Sequence, residues 1–262
     1  GMFLFGQNPA GGAPNAALNR KALKKLDWLV VRDWFEIESA CFWYKGPEAP
    51  DPSTIGTEVF FFPAAAASEK DGTLTNTQRL LQWHDKAVDP PGDCRSDTWF
   101  VYHLGRRVKR LYGGSAEPRD AGLLALTWDY GRDHAEQLPD GRPSRISDEP
   151  DAERILAELN GYATASGDQV AGFGALRDDG STACGCWIYS GVVPERGRNR
   201  ARSRRRDPER YTEPEWGFSW PANRRMLYNR ASADPAGKPW PKEARLARQH
   251  GSKLGYVYWD ET

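Results

Sequence analysis

Met2-Phe3-Leu4-Phe5-Gly6-Gln7-Asn8-Pro9-Ala10-Gly11-Gly12, followed by a helical stretch and by Asp27-Trp28-Leu29-Val30-Val31-Arg32-Asp33, decides the fold class. Met2–Phe5 is a short apolar run stopped by a glycine, the pattern of a buried strand. Asn15 can cap a helix whose apolar positions Leu18, Ala22, Leu23 and Leu26 share one face. The second apolar run ends at Arg32-Asp33. After a proline-punctuated excursion from Lys45 to Thr54, Glu58-Val59-Phe60-Phe61-Phe62-Pro63 is a third. Strand–helix–strand with short connections implies parallel pairing and right-handed crossovers. The expected class is α/β: a partial Rossmann-like parallel sheet flanked by helices, with a long loop-rich C-terminal part.

Further along, Ser96 or Asp97 can cap a helix carrying Val101, Leu104, Val108 and Leu111. Another helix is expected near Ala121–Asp129. Pro150 opens one more, with Ile155, Leu156 and Leu159 as its apolar stripe. From Gly161 onward the periodicity fades. The tail, ending Tyr258-Trp259-Asp260-Glu261-Thr262, shows no closing element, and both ends read as lying inside a larger protein.

The 262 residues carry 36 Lys plus Arg against 36 Asp plus Glu. That balance gives no electrostatic reason to expect nucleic acid or an anionic membrane as a partner. Nothing approaches the eighteen consecutive apolar residues of a bilayer span. Eleven tryptophans and nineteen prolines suit long packed loops within a large assembly. Cys41, Cys94, Cys184 and Cys186 are too few and scattered for a disulfide framework.

Several segments offer chemistry, each beside a plainer reading. Gly6-Gln7-Asn8-Pro9-Ala10-Gly11-Gly12 between strand and helix can bring backbone close to a phosphate, and is equally a structural turn. It is neither G-x-G-x-x-G nor a P-loop. Asp33 stands at a strand end where α/β folds place an acid on a ribose, or it caps the segment Trp34–Ala40. Ser68–Thr77 reads by propensity as a surface turn. Cys184-Gly185-Cys186 lacks the spacing of a metal knuckle and reads as small packed residues. His84, His103, His134 and His250 form no metal-binding spacing, and no serine-hydrolase elbow occurs. The arginines at 196, 198, 200, 202 and 204–206 form a basic run that suits a solvated or partner-facing loop. No catalytic or metal-ligating residue is assigned.

Taken in order, these segments carry a resemblance. Phe3–Pro9, Leu26–Asp33, Thr57–Ala64, Glu69-Lys70-Asp71-Gly72-Thr73-Leu74-Thr75-Asn76 and Arg79-Leu80-Leu81-Gln82-Trp83 resemble the molybdopterin oxidoreductase superfamily. Leu176–Tyr189 and Trp220–Pro235 are similar to formate dehydrogenase large subunits of the respiratory, nitrate-inducible type. The resemblance implies two molybdopterin guanine dinucleotides around one Mo or W in the parent, with a [4Fe–4S] cluster nearby. It implies that residues 1–113 form an α/β region binding one such dinucleotide, and residues 114–262 a helical, loop-rich extension. By matching position, Gly6, Gln7 and Asn8 fall in the phosphate and ribose loop. Asp33 falls at the strand end facing the nucleoside, Ala64 after Pro63, and Asp97 at the guanine-reading position. Gly12 replaces a polar residue of some relatives, so any contact there uses backbone.

The family's cluster cysteines, metal-ligating selenocysteine or cysteine, and substrate-orienting arginine have no counterpart here. The chain then reads as a part of a formate dehydrogenase catalytic subunit that does not oxidise formate by itself. Its implied partners are the remainder of that subunit and an iron–sulfur electron-transfer subunit, in a periplasmic, membrane-associated complex. The alternative is a stand-alone, non-catalytic binding or assembly protein with the same core.

Overall fold

The computed structural model describes residues 1–48, 50–77, 79–133, 136–203 and 216–219. The described chain divides into two compact bodies, one from Gly1–Asp71 with Asp85–Ala152, the other from Gly72–His84 with the residues from Glu153 onward. His134, His250, Arg204–Arg206, Trp220–Pro235 and the last residues lie outside the described ones.

In the first body, β1 (Met2–Phe5), β2 (Trp28–Asp33) and β3 (Glu58–Pro63) form a parallel sheet in the order β1-β2-β3. The predicted α/β class is the observed one. Between β1 and β2 runs α1 (Ala16–Leu23), capped by Asn15, whose Oδ1 accepts from Leu18 N at 3.2 Å. Between β2 and β3 lies the single turn α2 (Glu38–Cys41).

Two strands advancing in the same direction through right-handed crossovers must place both connections on one face. Leu4, Leu29 and Val31 of the sheet accordingly bury against Leu23 of α1, Ala40 of α2 and Phe42 in one core cluster. Thr57 pins the entry to β3, its hydroxyl 2.8 Å from both Leu23 O and Leu26 O.

The other face carries Phe3, Phe5, Trp28, Arg32, Phe60 and Phe62, in register across the three strands. Phe100 of α3 (Asp97–Leu111) meets it, with ring centroids 5.3 Å from Phe62 and 5.8 Å from Phe5. Ser96, rather than Asp97, caps α3: its Oγ accepts from Trp99 N at 2.8 Å. The inward side of α3 differs from the expected stripe. Tyr102 is buried, whereas Val101, Leu104 and Leu111 are exposed. A short α4 (Ala121–Ala125) follows within the expected segment.

The second body holds the antiparallel set β4 (Gly72–Thr75), β5 (Leu80–His84) and β8 (Gly217–Phe218). Here the expected surface turn is corrected. Thr73-Leu74-Thr75 is strand-forming sequence, and it pairs residue for residue with Trp83, Gln82 and Leu81. α5 (Ala152–Asn160) leads to the two-residue pair β6 (Tyr162–Ala163) and β7 (Thr182–Ala183). Asn160, wholly buried, organises this region. Its Nδ2 donates to Gly161 O and Val170 O, and its Oδ1 accepts from Gly191 N at 2.6 Å and Val193 N at 3.0 Å.

Candidate functional site

Open parallel sheets bind ligands outside the carboxyl ends of their strands. Gly6, Asp33 and Ala64 stand there because each ends or follows one strand, and backbone hydrogen bonds tie the three strand ends together. Gly6 N donates to Arg32 O at 3.0 Å and Ala64 N to Asp33 O at 3.1 Å. Ala64 also bridges in parallel to Arg95, and Ala65 N donates to Arg95 O at 2.8 Å. That bridge delivers the N-terminus of α3, and with it Asp97, to the same edge.

Asp97 is held from two sides. Arg32 Nε donates to its Oδ1 and Lys70 Nζ to its Oδ2, both at 3.2 Å. Arg32 is only 2% exposed, while Asp97 is 44% exposed. The guanidinium also reaches Arg95 O at 2.7 Å and Ser96 O at 3.1 Å, and lies over the Phe100 ring at 4.7 Å. Arg32 thus locks the last turn before α3 to the end of β2. A carboxylate has about four acceptor positions, so Asp97 keeps acceptor capacity toward solvent.

Asp33 accepts from Trp34 N at 2.7 Å, and α2 begins only at Glu38 with Ile37 in the cap position, so Asp33 is not a helix cap. Asn8 has a structural task. Its Oδ1 accepts from Ser39 N at 3.2 Å and Ser39 Oγ at 2.9 Å, and its Nδ2 donates to Glu38 Oε2 at 2.5 Å. The amide therefore caps α2 from a distance, and its bond holds the Glu38 carboxyl below the usual range. Gln7 is exposed and makes no hydrogen bond among the described residues.

The glycine loop is more closed than its sequence suggests. Gly11 N and Gly12 N both donate to Asn8 O, and a Cβ at Gly11 would stand 2.8 Å from Asn8 Nδ2. Gly6 is different. Its φ is +58°, which favours glycine, and a Cβ there would meet nothing within 4 Å. Open space lies over Gly6, beside the C-terminal ends of the strands.

Behind the edge lies a network of buried charge that the sequence did not reveal. Lys86 Nζ reaches Asp89 Oδ1 at 2.8 Å, Glu136 Oε2 at 3.0 Å and Ser144 Oγ at 2.6 Å. Arg132 bridges Asp71 at 2.9 Å and Glu136 at 3.3 Å. Burial alone would push the Asp89 carboxyl up, but the Lys86, Arg145 and Ser144 donors hold it far below its ordinary value. Ser96 Oγ donates to the Glu149 carboxylate while capping α3. Burial pushes Glu149 up to about 6. A cavity of about 470 Å³ opens near this network, lined by Val88, Asp89, Leu138, Arg142, Pro143 and Arg145. None of its lining residues is a predicted site residue, and Asp89 is already fully engaged.

Cys184 and Cys186 flank Gly185, whose N–H donates to Glu158 O at 2.9 Å, and the Cys184 Cβ packs on Gly161. No group of three or more metal-ligating side chains is present among the described residues. No described helix is long and apolar enough to cross a membrane.

Residues 60–107, spanning β3 to the middle of α3, match the model of the molybdopterin oxidoreductases. That stretch of the chain is similar to this family. Along nearly its whole length it is similar to formate dehydrogenase large subunits. It is 35% identical over 268 residues to the major subunit of the nitrate-inducible formate dehydrogenase of Escherichia coli, covering 97% of this chain and 25% of that one. It is likewise 35% identical to the formate dehydrogenase subunit alpha of Megalodesulfovibrio gigas, with 98% and 25% covered. Against the formate dehydrogenase 2 subunit alpha (cytochrome c-553) of Nitratidesulfovibrio vulgaris the identity is 37%, with 97% and 24% covered. The chain therefore spans about a quarter of the length of these curated relatives.

Proposed function

We propose that this chain supplies part of the seat for one molybdopterin guanine dinucleotide in a molybdenum- or tungsten-dependent formate dehydrogenase catalytic subunit. The observation that carries the reading is the convergence of Gly6, Asp33, Ala64 and Asp97 on one edge of the parallel sheet, with Ala64 bonded to Asp33 and both Gly6 and Asp97 bonded to Arg32. The donor set suits the nucleoside half. Guanine presents N1–H and N2–H₂, two donors that match the two oxygens of the half-exposed Asp97 carboxylate. Asp33 commits one oxygen to Trp34 N and has a second suited to a ribose hydroxyl. The open space over Gly6 admits the backbone-close approach of a phosphate, with Gln7 beside it.

Asn8 supports this seat by fixing α2 to the loop, and its side chain is already spent on Ser39 and Glu38. Arg32 and Lys70 hold the Asp97 carboxylate in place from two sides. When bound, the cofactor would supply the redox centre for oxidising formate to CO₂. This chain's residues bind and orient the nucleotide end.

Calorimetry with GDP tests the reading. A charge-assisted hydrogen bond contributes about 1.5–3 kcal/mol, so Asp97→Asn should weaken GDP binding by about ten- to a hundredfold. The α3 cap is unaffected because Ser96 provides it. Equal binding by wild type and Asp97→Asn would remove guanine recognition from Asp97.

A further inference from the structure

Asp97 offers two oxygens to a guanine, and the two cations beside it decide which way round the base sits. Arg32 Nε donates to Oδ1 and Lys70 Nζ to Oδ2, each at 3.2 Å. The two cations are not equivalent. Arg32 is 2% exposed, and its Nη2 is spent on Arg95 O and Ser96 O. Lys70 is 24% exposed. An ammonium carries three N–H donors, and among the described residues the bond to Asp97 is the side-chain hydrogen bond that Lys70 makes. Lys70 therefore has donors left to offer beside the exposed carboxylate.

The chain delivers Lys70 to this spot along a pinned path. Beyond β3, Ala64 N is bonded to Asp33 O, Ala65 N to Arg95 O, and Ala66 N to the Glu69 carboxylate at 2.8 Å. The 3₁₀ turn Ala67–Glu69 follows, and Lys70 leaves it in extended backbone, with φ −149° and ψ 154°. Both flanks are tied to the segment after β5: Ser68 O accepts from Ala87 N at 2.8 Å, and Asp71 Oδ1 from Lys86 N at 2.7 Å. The ammonium is in place before any ligand arrives.

Guanine presents O6, N1–H and N2–H₂ in a row along one edge. With N1–H and N2–H₂ on the two carboxylate oxygens, O6 lies beside the oxygen that takes N1–H. Two acceptors side by side repel unless a donor stands with them. Lys70 supplies that donor beside Oδ2, whereas the buried Arg32 has no access to the open side of Oδ1.

We infer that Lys70 is a specificity-determining residue for position 6 of the base. Its ammonium donates to guanine O6, while N1–H goes to Asp97 Oδ2 and N2–H₂ to Oδ1. The inference rests on the nucleotide reading above and deepens it by fixing the orientation of the base. Adenine is rejected twice, because its N6–H₂ faces the Lys70 ammonium and its N1 lone pair faces the Asp97 carboxylate.

The test is calorimetric titration of the full chain and its Lys70→Met and Asp97→Asn variants with GDP, IDP and 6-thio-GDP. IDP keeps O6 and N1–H and lacks the 2-amino group. 6-Thio-GDP keeps both donors and carries at position 6 a sulfur, a poor acceptor. Lys70→Met should weaken GDP and IDP alike, by about ten- to a hundredfold, and change 6-thio-GDP by less than about threefold. The wild-type preference for GDP over 6-thio-GDP should accordingly vanish in Lys70→Met. Lys70→Gln keeps a neutral donor and should retain part of that preference, so the comparison survives if Lys70→Met fails to fold. A Lys70 that only steadies Asp97 would weaken all three ligands by the same factor, and that result overturns the assignment. So does GDP binding that Asp97→Asn weakens and Lys70→Met leaves unchanged, in which case the nucleotide reading stands without it. No GDP binding by the wild-type chain removes the nucleotide reading and this assignment together.

Discussion

Replacing Arg32 by methionine is the perturbation that best probes how the candidate site is held. The guanidinium is almost wholly buried and serves three acceptors: Arg95 O at 2.7 Å, Ser96 O at 3.1 Å and Asp97 Oδ1 at 3.2 Å. Methionine fills much of the same volume and leaves the two carbonyls without their donor. Each buried acceptor left unmade costs about 1–3 kcal/mol. The Asp97 pair adds little, about 0–1 kcal/mol, because Asp97 is half in solvent and Lys70 still holds it. Relief from burying a charge offsets part of the loss. The net expectation is about 3–4 kcal/mol, a large share of the roughly 5–15 kcal/mol available to a domain. Urea unfolding followed by tryptophan fluorescence measures it, with Arg32→Lys as a control that keeps charge but cannot span three acceptors. A loss under about 1 kcal/mol for Arg32→Met would refute the claim that Arg32 ties α3 to the end of β2.

Asn160→Ala should cost about 3 kcal/mol or more, because Gly191 N and Val193 N lose their acceptor inside the second body; chemical denaturation checks it. Glu149 binds its proton more tightly folded than unfolded, with a value near 6 against an ordinary 4.5. Its contribution to stability is therefore fully present at low pH and is lost as pH rises through that window. Glu149→Gln should match wild type near the bottom of the window and be up to about 2 kcal/mol more stable above pH 7, read as the pH dependence of the unfolding midpoint. Gly6→Ala meets no steric obstacle but must adopt a φ of +58°, so it should lose about 1–2 kcal/mol without other change. A loss near zero would contradict the strained turn.

The parallel sheet was legible because its three strands are continuous apolar runs ending at glycine, an acidic residue or proline, and those signals are local. Gly6 and Asp33 stand at strand ends that the apolar runs marked, whereas Ala64 came from the family resemblance. What escaped depends on contacts distant in sequence. Arg32 was visible only as a charge in an apolar strand, and nothing local links it to Asp97, 65 residues away. Lys70 lay in a stretch read as a turn, and β4 within that stretch forms only because β5 pairs with it. Asn8 looked like a ligand residue, whereas its amide is committed to α2. The Val101–Leu111 stripe misled because α3 turns Tyr102 and Phe100 inward. Apolar periodicity shows where a covered face could be, not which face this body covers.

The central claim is that the carboxyl edge of the parallel sheet recognises a guanine nucleotide. Its most direct test is titration of isotope-labelled protein with GDP, and with ADP as control, followed by amide chemical shifts. Gly6, Gln7, Trp34, Ala64 and Asp97 should shift together with GDP and respond more weakly to ADP. Shifts confined to other residues, no response to GDP, or equal responses to both nucleotides would contradict it.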